Sequence, residues 1–506
     1  MTELFTLIPE AGSLAAAGLL IDDVSEACGA LADNLASARS AYRARWSGAA
    51  AARAGLALAR QRGRLTAAHL QLRALGSLLG QAAEEFRQHR SELGELLDAE
   101  RPGAGVLAPS AATAIDRVRA AADRTDQWLA AELALSVAQA ADPDGPDLPA
   151  ADARLRQVTA RLAAALPPPG SNPGLVHDWW RRLGPDARRM LVRDQPQLVG
   201  SLDGVPCAVR DQANRLLLDR LVADSDRPEA LLALRDRLRR EADGGSPPVL
   251  LLALGTAGQG RAVLSFGDPD TATHICAYVP GMGTRLADAA GKEADRALAV
   301  QQASGPGTAA LVWLGYDPPG TVPDAARTTR AAAGAVDFER FLGALRSTHR
   351  TGVPPHITAL GHSYGSLLVG LAAQRPGGVP ADELVLIGSP GTGADHASRL
   401  GVRDGHVWVG AAPHDPVTRL PAPSVAAAAL LAGTGQSPLG LLQLRADRGH
   451  LTWFGADPAA PAFGARRLPA DDGPPGGFGA AHSHYLDPGS RSLAAVAAVI
   501  TGRQGP

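Results

Sequence analysis

The sequence predicts an α/β fold, a doubly wound and mostly parallel sheet, preceded by an all-α N-terminal region. Apolar residues recur at heptad spacing through the first 100 residues, which is typical of packed helices. After residue 246, short apolar runs alternate with helical segments, as in a parallel sheet covered on both faces. A G-x-S-x-G motif at 361–365 follows one of these predicted strands. The last two features predict the α/β class.

Composition limits the classes of protein that are expected. The 506 residues predict two or three domains, and 45% hydrophobic with 20% charged residues is typical of a soluble globular protein. A net charge of −2 gives no general attraction to nucleic acid or to an anionic membrane. There is neither a signal-peptide pattern nor an apolar run of membrane-spanning length, so we expect a cytoplasmic protein. The three cysteines have no metal-ligand spacing, and neither a metal nor a cofactor is predicted.

Two heptad series predict an antiparallel helical hairpin in the N-terminal region. Trp46-x-Gly48 lies between the series, at the expected turn. The apolar positions of the first series are Ile21, Cys28, Leu35 and Tyr42, and those of the second are Leu58, Leu65, Leu72, Leu79, Phe86 and Leu93.

Over roughly residues 10–100, this hairpin resembles the small secreted Trp-x-Gly proteins of type VII secretion systems. The resemblance implies a helical-hairpin protein partner and, as an alternative location, export by a type VII-like route without a signal peptide. That family carries a Tyr-x-x-x-Asp/Glu signal after its second helix, and none of the five tyrosines here has an acid four residues on. The cytoplasmic location is therefore favoured.

Two Pro- and Gly-rich segments predict domain boundaries. Pro167–Pro173 reads as a linker, and the residue pattern changes again at 244–248. We therefore expect a helical domain at 1–166, a helical lead-in at 167–245 that packs on the following domain, and a catalytic α/β domain at 246–506. The strands predicted in the last domain are Val249–Leu254, Arg261–Phe266, His274–Val279, Ala309–Leu314, Pro355–Leu360, Glu383–Ile387 and His406–Ala411.

The G-x-S-x-G motif is centred on Ser363, between a predicted strand and a predicted helix. This is the context of the nucleophile elbow of α/β-hydrolases. The strand turns sharply into the helix, and Gly361 and Gly365 have no side chain to block the crossing. Ser363 would lie at a helix N-terminus, where free N–H groups stabilise an oxyanion.

A nucleophilic serine needs a base and an acid that orients the base. In α/β-hydrolases the acid and then the histidine follow the serine along the chain. Asp415 follows a late predicted strand and is the expected acid. Weaker candidates by position are Asp395, Asp382 and Asp447.

The base is expected near the end of the chain, where His482 and His484 both lie in one loop. The spacing along the chain does not decide which of the two histidines is the base. His450 follows the Asp415 strand too closely, and His362, beside the nucleophile, is expected to shape the elbow.

Two backbone amides are expected to bind the oxyanion. One belongs to Tyr364, directly after the nucleophile. The other belongs to the Gly-rich loop after the strand that ends at Val279. We expect the Met282 amide, with Gly283 as the alternative.

Over residues 172–503, the chain resembles an actinobacterial α/β-hydrolase family of unknown function. The resemblance implies the triad Ser363, Asp415 and His482, and therefore favours His482 over His484. It also implies that the helices before the sheet belong with the hydrolase. The motifs that carry the resemblance are at 172–173, 179–180, 202–206, 279–284, 361–366, 388–391, 415–417 and 482–490.

The sequence therefore predicts a serine hydrolase, esterase- or lipase-like, that acts on a small-molecule acyl substrate without a cofactor. The alternative is an interaction or secretion-associated protein that uses the hairpin for partner binding and the hydrolase fold as a scaffold.

Overall fold

The computed structural model describes residues 8–99, 109–140, 147–164, 166–225, 228–240, 247–420, 451–474, 476 and 479–503. The chain forms two compact units. The first contains Met1–Pro167 and Arg181–Gln195, and the second contains Pro168–Trp180 and Pro196–Pro506. Residues 181–195 thus group with the first unit, whereas the sequence analysis assigned them to the lead-in. The three-domain division itself stays a prediction.

The first unit is helical. Its helices are α1 (Ala11–Arg43), α2 (Ala49–Ala99), α3 (Pro109–Ala140), α4 (Leu148–Ala164) and α6 (Pro185–Asp194); α5 (Pro173–Arg182) connects the two units along the chain.

Helices α1 and α2 form a hairpin. The helices run antiparallel, because Ser25 Oγ lies 3.0 Å from His69 Nδ1 while the earlier Gly18 faces the later Gly76. The turn between them contains Trp46, which is 49% exposed. Helix α3 packs on α2 around a core that includes Phe86, and α4 packs on α2 where Val158 meets Ala74 and Leu78. The likeness of this hairpin to secreted type VII proteins stays a prediction.

The second unit contains the sheet. Its strands are β1 (Val249–Gly255), β2 (Arg261–Phe266), β3 (His274–Val279), β4 (Thr308–Leu314), β5 (His356–His362), β6 (Glu383–Ile387), β7 (Val407–Gly410), β8 (Leu451–Thr452), β9 (Gly455–Ala456) and β10 (Arg466–Leu468). Its further helices are α7 (Pro196–Ser201), α8 (Cys207–Asp224), α9 (Glu229–Arg240), α10 (Leu286–Ala290), α11 (Lys292–Ser304), α12 (Val322–Ala325), α13 (Thr329–Thr348), α14 (Tyr364–Ala373), α15 (Ala480–Ser483) and α16 (Arg491–Ile500).

The main sheet has the order β1-β2-β4-β3-β5-β6-β7-β10. Strands β1 and β2 are antiparallel to their neighbours, and from β4 to β10 the strands are parallel. The predicted fold class is therefore confirmed. Strand β10 and the small β8–β9 hairpin are not predicted by the sequence, because runs of two or three residues carry no periodic signal.

The order of the strands places the site. Strand β3 lies between β4 and β5, so the chain leaves β3 on one side and returns on its other side. Helix α13 packs on α14 and α11 packs on α16, and α14 and α16 both pack on the central strands β3, β5 and β6. Ligands of such sheets bind where the strand order reverses, at the carboxyl ends of the strands. The carboxyl ends of β3 and β5 meet at that point.

A buried ion cluster stabilises the second unit at the motif 202–206. Asp203 accepts hydrogen bonds from Arg210 and Arg340, each at 3.0 Å, and Arg210 is 3% exposed. Next to it, Gly204 has φ 110°, and a Cβ atom there would lie 2.3 Å from the Pro173 carbonyl oxygen. The motif therefore holds the start of α5 against the sheet unit.

No helix in the described parts of the chain is both long and apolar enough to cross a membrane.

We expect Asp203→Ala to lower the free energy of unfolding of the second unit by about 3–5 kcal/mol, since it leaves the buried Arg210 guanidinium without its carboxylate partner. Urea denaturation followed by tryptophan fluorescence measures this loss. Asp337→Ala is the matched control: Asp337 also binds Arg340 but is 40% exposed, so its removal should cost less than about 1 kcal/mol. Equal losses in the two variants would contradict the prediction.

Candidate active site

Ser363 lies in the turn between the end of β5 and the start of α14. Its φ of 56° makes it the single non-glycine residue with positive φ in the described parts of the chain. The flanking glycines are sterically required. A Cβ atom at Gly361 would lie 2.5 Å from the Ser366 Cα, and one at Gly365 would lie 2.2 Å from the Val279 carbonyl oxygen. The backbone is thus held in a strained turn, the geometry that a nucleophile elbow requires.

Asp415 and His482 form a hydrogen-bonded pair. Asp415 follows β7 and is completely buried, and His482 lies in α15. The Nδ1 of His482 lies 3.0 and 2.9 Å from the two carboxylate oxygens of Asp415. Because Nδ1–H donates to this carboxylate, the neutral ring has its lone pair on Nε2, the form that can accept a proton.

The Asp415 carboxylate has two further donors. The Val417 N–H donates to Oδ1 at 2.8 Å, and the Tyr485 hydroxyl donates to Oδ2 at 2.7 Å. The same hydroxyl accepts from the Ala412 N–H at 2.8 Å. Burial and the nearby Asp415 charge raise the pKa of Tyr485, so its hydroxyl stays protonated and remains a donor.

Sequence reasoning missed this role of Tyr485. The residue lies three positions after His482 in a motif that was singled out as a whole, but no local pattern connects its hydroxyl to Asp415, 70 residues earlier. The contact arises from the packing of the two loops.

His362, the last residue of β5, contacts His482. The two rings stack with centroids 4.7 Å apart, and His362 Nε2 donates to the His482 carbonyl oxygen at 2.8 Å. His482 therefore lies beside the end of β5, the strand that leads into Ser363. Among the described residues, His482 forms a hydrogen bond with Asp415. No hydrogen bond joins Ser363 Oγ to His482 in the same part of the chain. Such hydrogen bonds are often absent from free enzymes and form when substrate binds.

The other candidates have different partners. His484 Nδ1 lies 2.5 Å from Asp487 Oδ2, away from Asp415. Asp382 accepts from Arg346 at 2.8 Å, and Asp395 is exposed. Two weaker candidates lie outside the described residues: Asp447 and His450.

The loop after β3 contacts the serine. A Cβ atom at Gly281 would lie 2.7 Å from the Ser363 Cβ. The Gly283 N–H donates to the Pro319 carbonyl oxygen at 2.9 Å, and is thus occupied. The Met282 N–H has no backbone partner within the described ranges. Of the two predicted amides in this loop, this arrangement favours Met282.

These groups together can support acyl transfer to a serine. They comprise a hydroxyl at a helix N-terminus, an imidazole oriented by a buried carboxylate, and backbone amides of the β3 loop and of Tyr364 at the start of α14. In the part of the chain that the structure describes, no group of three or more His, Cys, Asp or Glu residues is arranged to hold a metal ion.

Comparisons with known proteins agree with this fold. A family model described as alpha/beta hydrolase matches residues 255–427, which include Ser363 and Asp415. An uncharacterized protein of Mycobacterium tuberculosis is 30% identical over 499 residues, spanning 87% of this chain and 72% of the relative. An uncharacterized protein of Mycobacterium bovis is 38% identical over 199 residues, spanning 37% of this chain and 72% of the relative. No solved structure matches the chain.

We expect the free energy of unfolding to depend on pH through His362, the residue that stacks on His482. Burial, with smaller effects of His482 and Arg296, holds the pKa of His362 well below its usual 6.5. Below pH 6.5 the unfolded chain therefore binds a proton at this position that the folded chain does not bind, so stability is lost as the pH falls.

His362→Gln keeps a donor amide and removes this titration. We expect the variant's free energy of unfolding to fall less steeply between pH 7 and 5, by up to about 1.4 kcal/mol per pH unit. Urea denaturation at a series of pH values measures the slope. The exposed His396→Gln variant is the control and should keep the wild-type slope. An unchanged slope in His362→Gln would refute the prediction.

Proposed function

Because the chain belongs to the alpha/beta-hydrolase family, we propose that it is a serine hydrolase that cleaves carboxylic esters of small molecules through an acyl-enzyme. Family membership supports a hydrolase in general. The ester specificity and the serine mechanism are part of the proposal. The observation that carries it is the hydrogen-bonded pair of Asp415 and His482 beside the strained Ser363.

In the first step, His482 Nε2 takes the proton of Ser363 Oγ while the oxygen bonds to the substrate carbonyl carbon. Asp415 keeps the Nδ1–H of the imidazole oriented and stabilises the imidazolium that forms. The carbonyl oxygen becomes an oxyanion, which the amides of Tyr364 and Met282 bind. One such donor contributes about 3 kcal/mol in serine hydrolases.

The tetrahedral intermediate then collapses. The imidazolium of His482 gives its proton to the leaving alkoxide, the ester C–O bond breaks, and the acyl group stays on Ser363. A water molecule next gives a proton to His482 and attacks the acyl carbon. Release of the carboxylic acid returns the proton to Ser363. No cofactor takes part in the proposed cycle.

A second candidate function is supported by the outer face of α1. Leu20, Val24 and Leu31 are 68%, 54% and 51% exposed and follow heptad spacing, the pattern of a helix that binds another helix. In this role the hairpin binds a helical-hairpin protein and the hydrolase fold is a scaffold. The cytoplasmic location and the type VII-like export route also stay predictions. A scaffold does not need a reactive serine, so the next experiment separates the two functions.

We expect a fluorophosphonate probe to label the wild-type protein and to leave Ser363→Ala unlabelled, because the probe reacts with activated serines. In-gel fluorescence and mass spectrometry of the labelled peptide measure the reaction. Ser483→Ala is the matched control, since Ser483 is an exposed serine beside His482. Its labelling should equal that of the wild type. An unlabelled, folded wild-type protein would move the assignment to the scaffold function.

The two loop histidines should differ in their effect on esterase activity. His482→Ala removes the partner of Asp415, and we expect kcat/KM for short acyl esters of p-nitrophenol to fall by about 1,000-fold or more. His484→Ala removes a residue that binds Asp487 instead, so a change within about threefold is expected. The reverse order would assign the base to His484.

A further inference from the structure

The turn end of the α1–α2 hairpin is strongly basic, although the whole chain has a net charge of −2. No aspartate or glutamate occurs between Asp33 and Glu84. We call residues 34–66 the hairpin tip; it comprises the end of α1, the turn and the start of α2. Its arginines are Arg39, Arg43, Arg45, Arg53, Arg60, Arg62 and Arg64. Positive charge is thus concentrated in the hairpin tip, although positive and negative charges nearly cancel over the whole chain.

Three of these arginines share one face of α2. Arg53, Arg60 and Arg64 are seven and four residues apart, and at 100° per residue their side chains leave the helix within about 40° of one another. All three are exposed. At 1.5 Å per residue, Arg64 lies only about 24 Å from the turn along the helix axis. A dense positive face therefore lies at the end of the hairpin.

The charges of the tip are not neutralised within the described parts of the chain. Several arginines elsewhere in the first unit have carboxylate partners: Arg73 binds Asp194 at 2.9 Å, and Arg161 binds Glu85 at 2.8 Å. No ion pair involves an arginine of the tip in the ranges that the structure describes. An anionic partner would therefore meet charges that are still available.

The tip also exposes apolar side chains. Trp46 at the turn is 49% exposed, and Leu56 in the first turns of α2 is 62% exposed. Tryptophan is enriched at the boundary between lipid headgroups and acyl chains, and arginine beside it binds anionic headgroups. Arginine also binds nucleic-acid phosphates, but those contacts give no reason to expose a leucine.

We propose that the hairpin tip binds the surface of an anionic phospholipid bilayer. The arginines bind lipid phosphates, while Trp46 and Leu56 enter the headgroup layer. This docking holds the chain at the membrane without spanning it. It does not depend on the proposed ester hydrolysis, because none of the residues that carry it lies in the second unit.

The test is flotation of the full-length chain with vesicles, in a Ser363→Ala background so that hydrolysis cannot change the lipid. Vesicles of phosphatidylcholine with about one-third phosphatidylglycerol should bind the protein at low salt, and pure phosphatidylcholine vesicles should not. Substitution of Arg53, Arg60 and Arg64 by glutamine should weaken binding by about 100-fold, roughly fivefold for each charge. Trp46→Ala should weaken binding further.

The control removes the same number of exposed helical arginines from the same unit, and binding should stay at the wild-type level. It combines Arg117→Gln, Arg124→Gln and Arg156→Gln. Circular dichroism establishes that both triple variants are folded. Equal losses in the two variants, or no binding to the anionic vesicles, would overturn the proposal. Binding of a DNA duplex that the tip variant loses, without vesicle binding, would assign the surface to nucleic acid instead.

Discussion

The strained backbone of Ser363 is the constraint on which the geometry at the centre of the second unit depends. A non-glycine residue with positive φ costs about 1–3 kcal/mol, and it persists only where the surroundings determine it. Here the surroundings are β3, β5 and α14, which approach so closely that neither Gly361 nor Gly365 has room for a Cβ atom. The same approach brings the β3 loop against the serine. The strain at Ser363, its position at a helix N-terminus and its contact with the β3 loop thus all result from the same close packing of β3, β5 and α14.

A second constraint is the buried carboxylate of Asp415. An unpaired charge in such a position would destabilise the fold, so the donors to this carboxylate are necessary for stability. His482, Tyr485 and the Val417 amide supply them. Because Tyr485 is itself fixed by the Ala412 amide, the loop after β7 and the segment with α15 position one another. The orientation of the imidazole follows from this arrangement.

The two units present different chemistry. The second unit concentrates buried, fully paired charges, as at Asp203 and Asp415. The hairpin of the first unit instead leaves arginines and apolar side chains in solvent at its tip. Buried paired charges rigidify a site, whereas exposed and unneutralised charges attract a partner.

The sequence by itself determined the fold class, strands β1 to β7 and the position of the strand-to-helix turn at Ser363, because each depends on local periodicity or on a short motif. It also placed Asp415 after a late strand, which is β7 in the structure. It could not distinguish His482 from His484 by spacing, since the two share one loop. The tertiary structure separates them: the first stacks on His362 and binds Asp415, and the second binds Asp487.

Only the tertiary structure shows that the Tyr485 hydroxyl donates to Asp415 and that the Gly283 N–H donates to the Pro319 carbonyl oxygen. These contacts join residues that are 36 to 70 positions apart. They depend on how loops pack at the end of the sheet, and no local residue pattern specifies that packing.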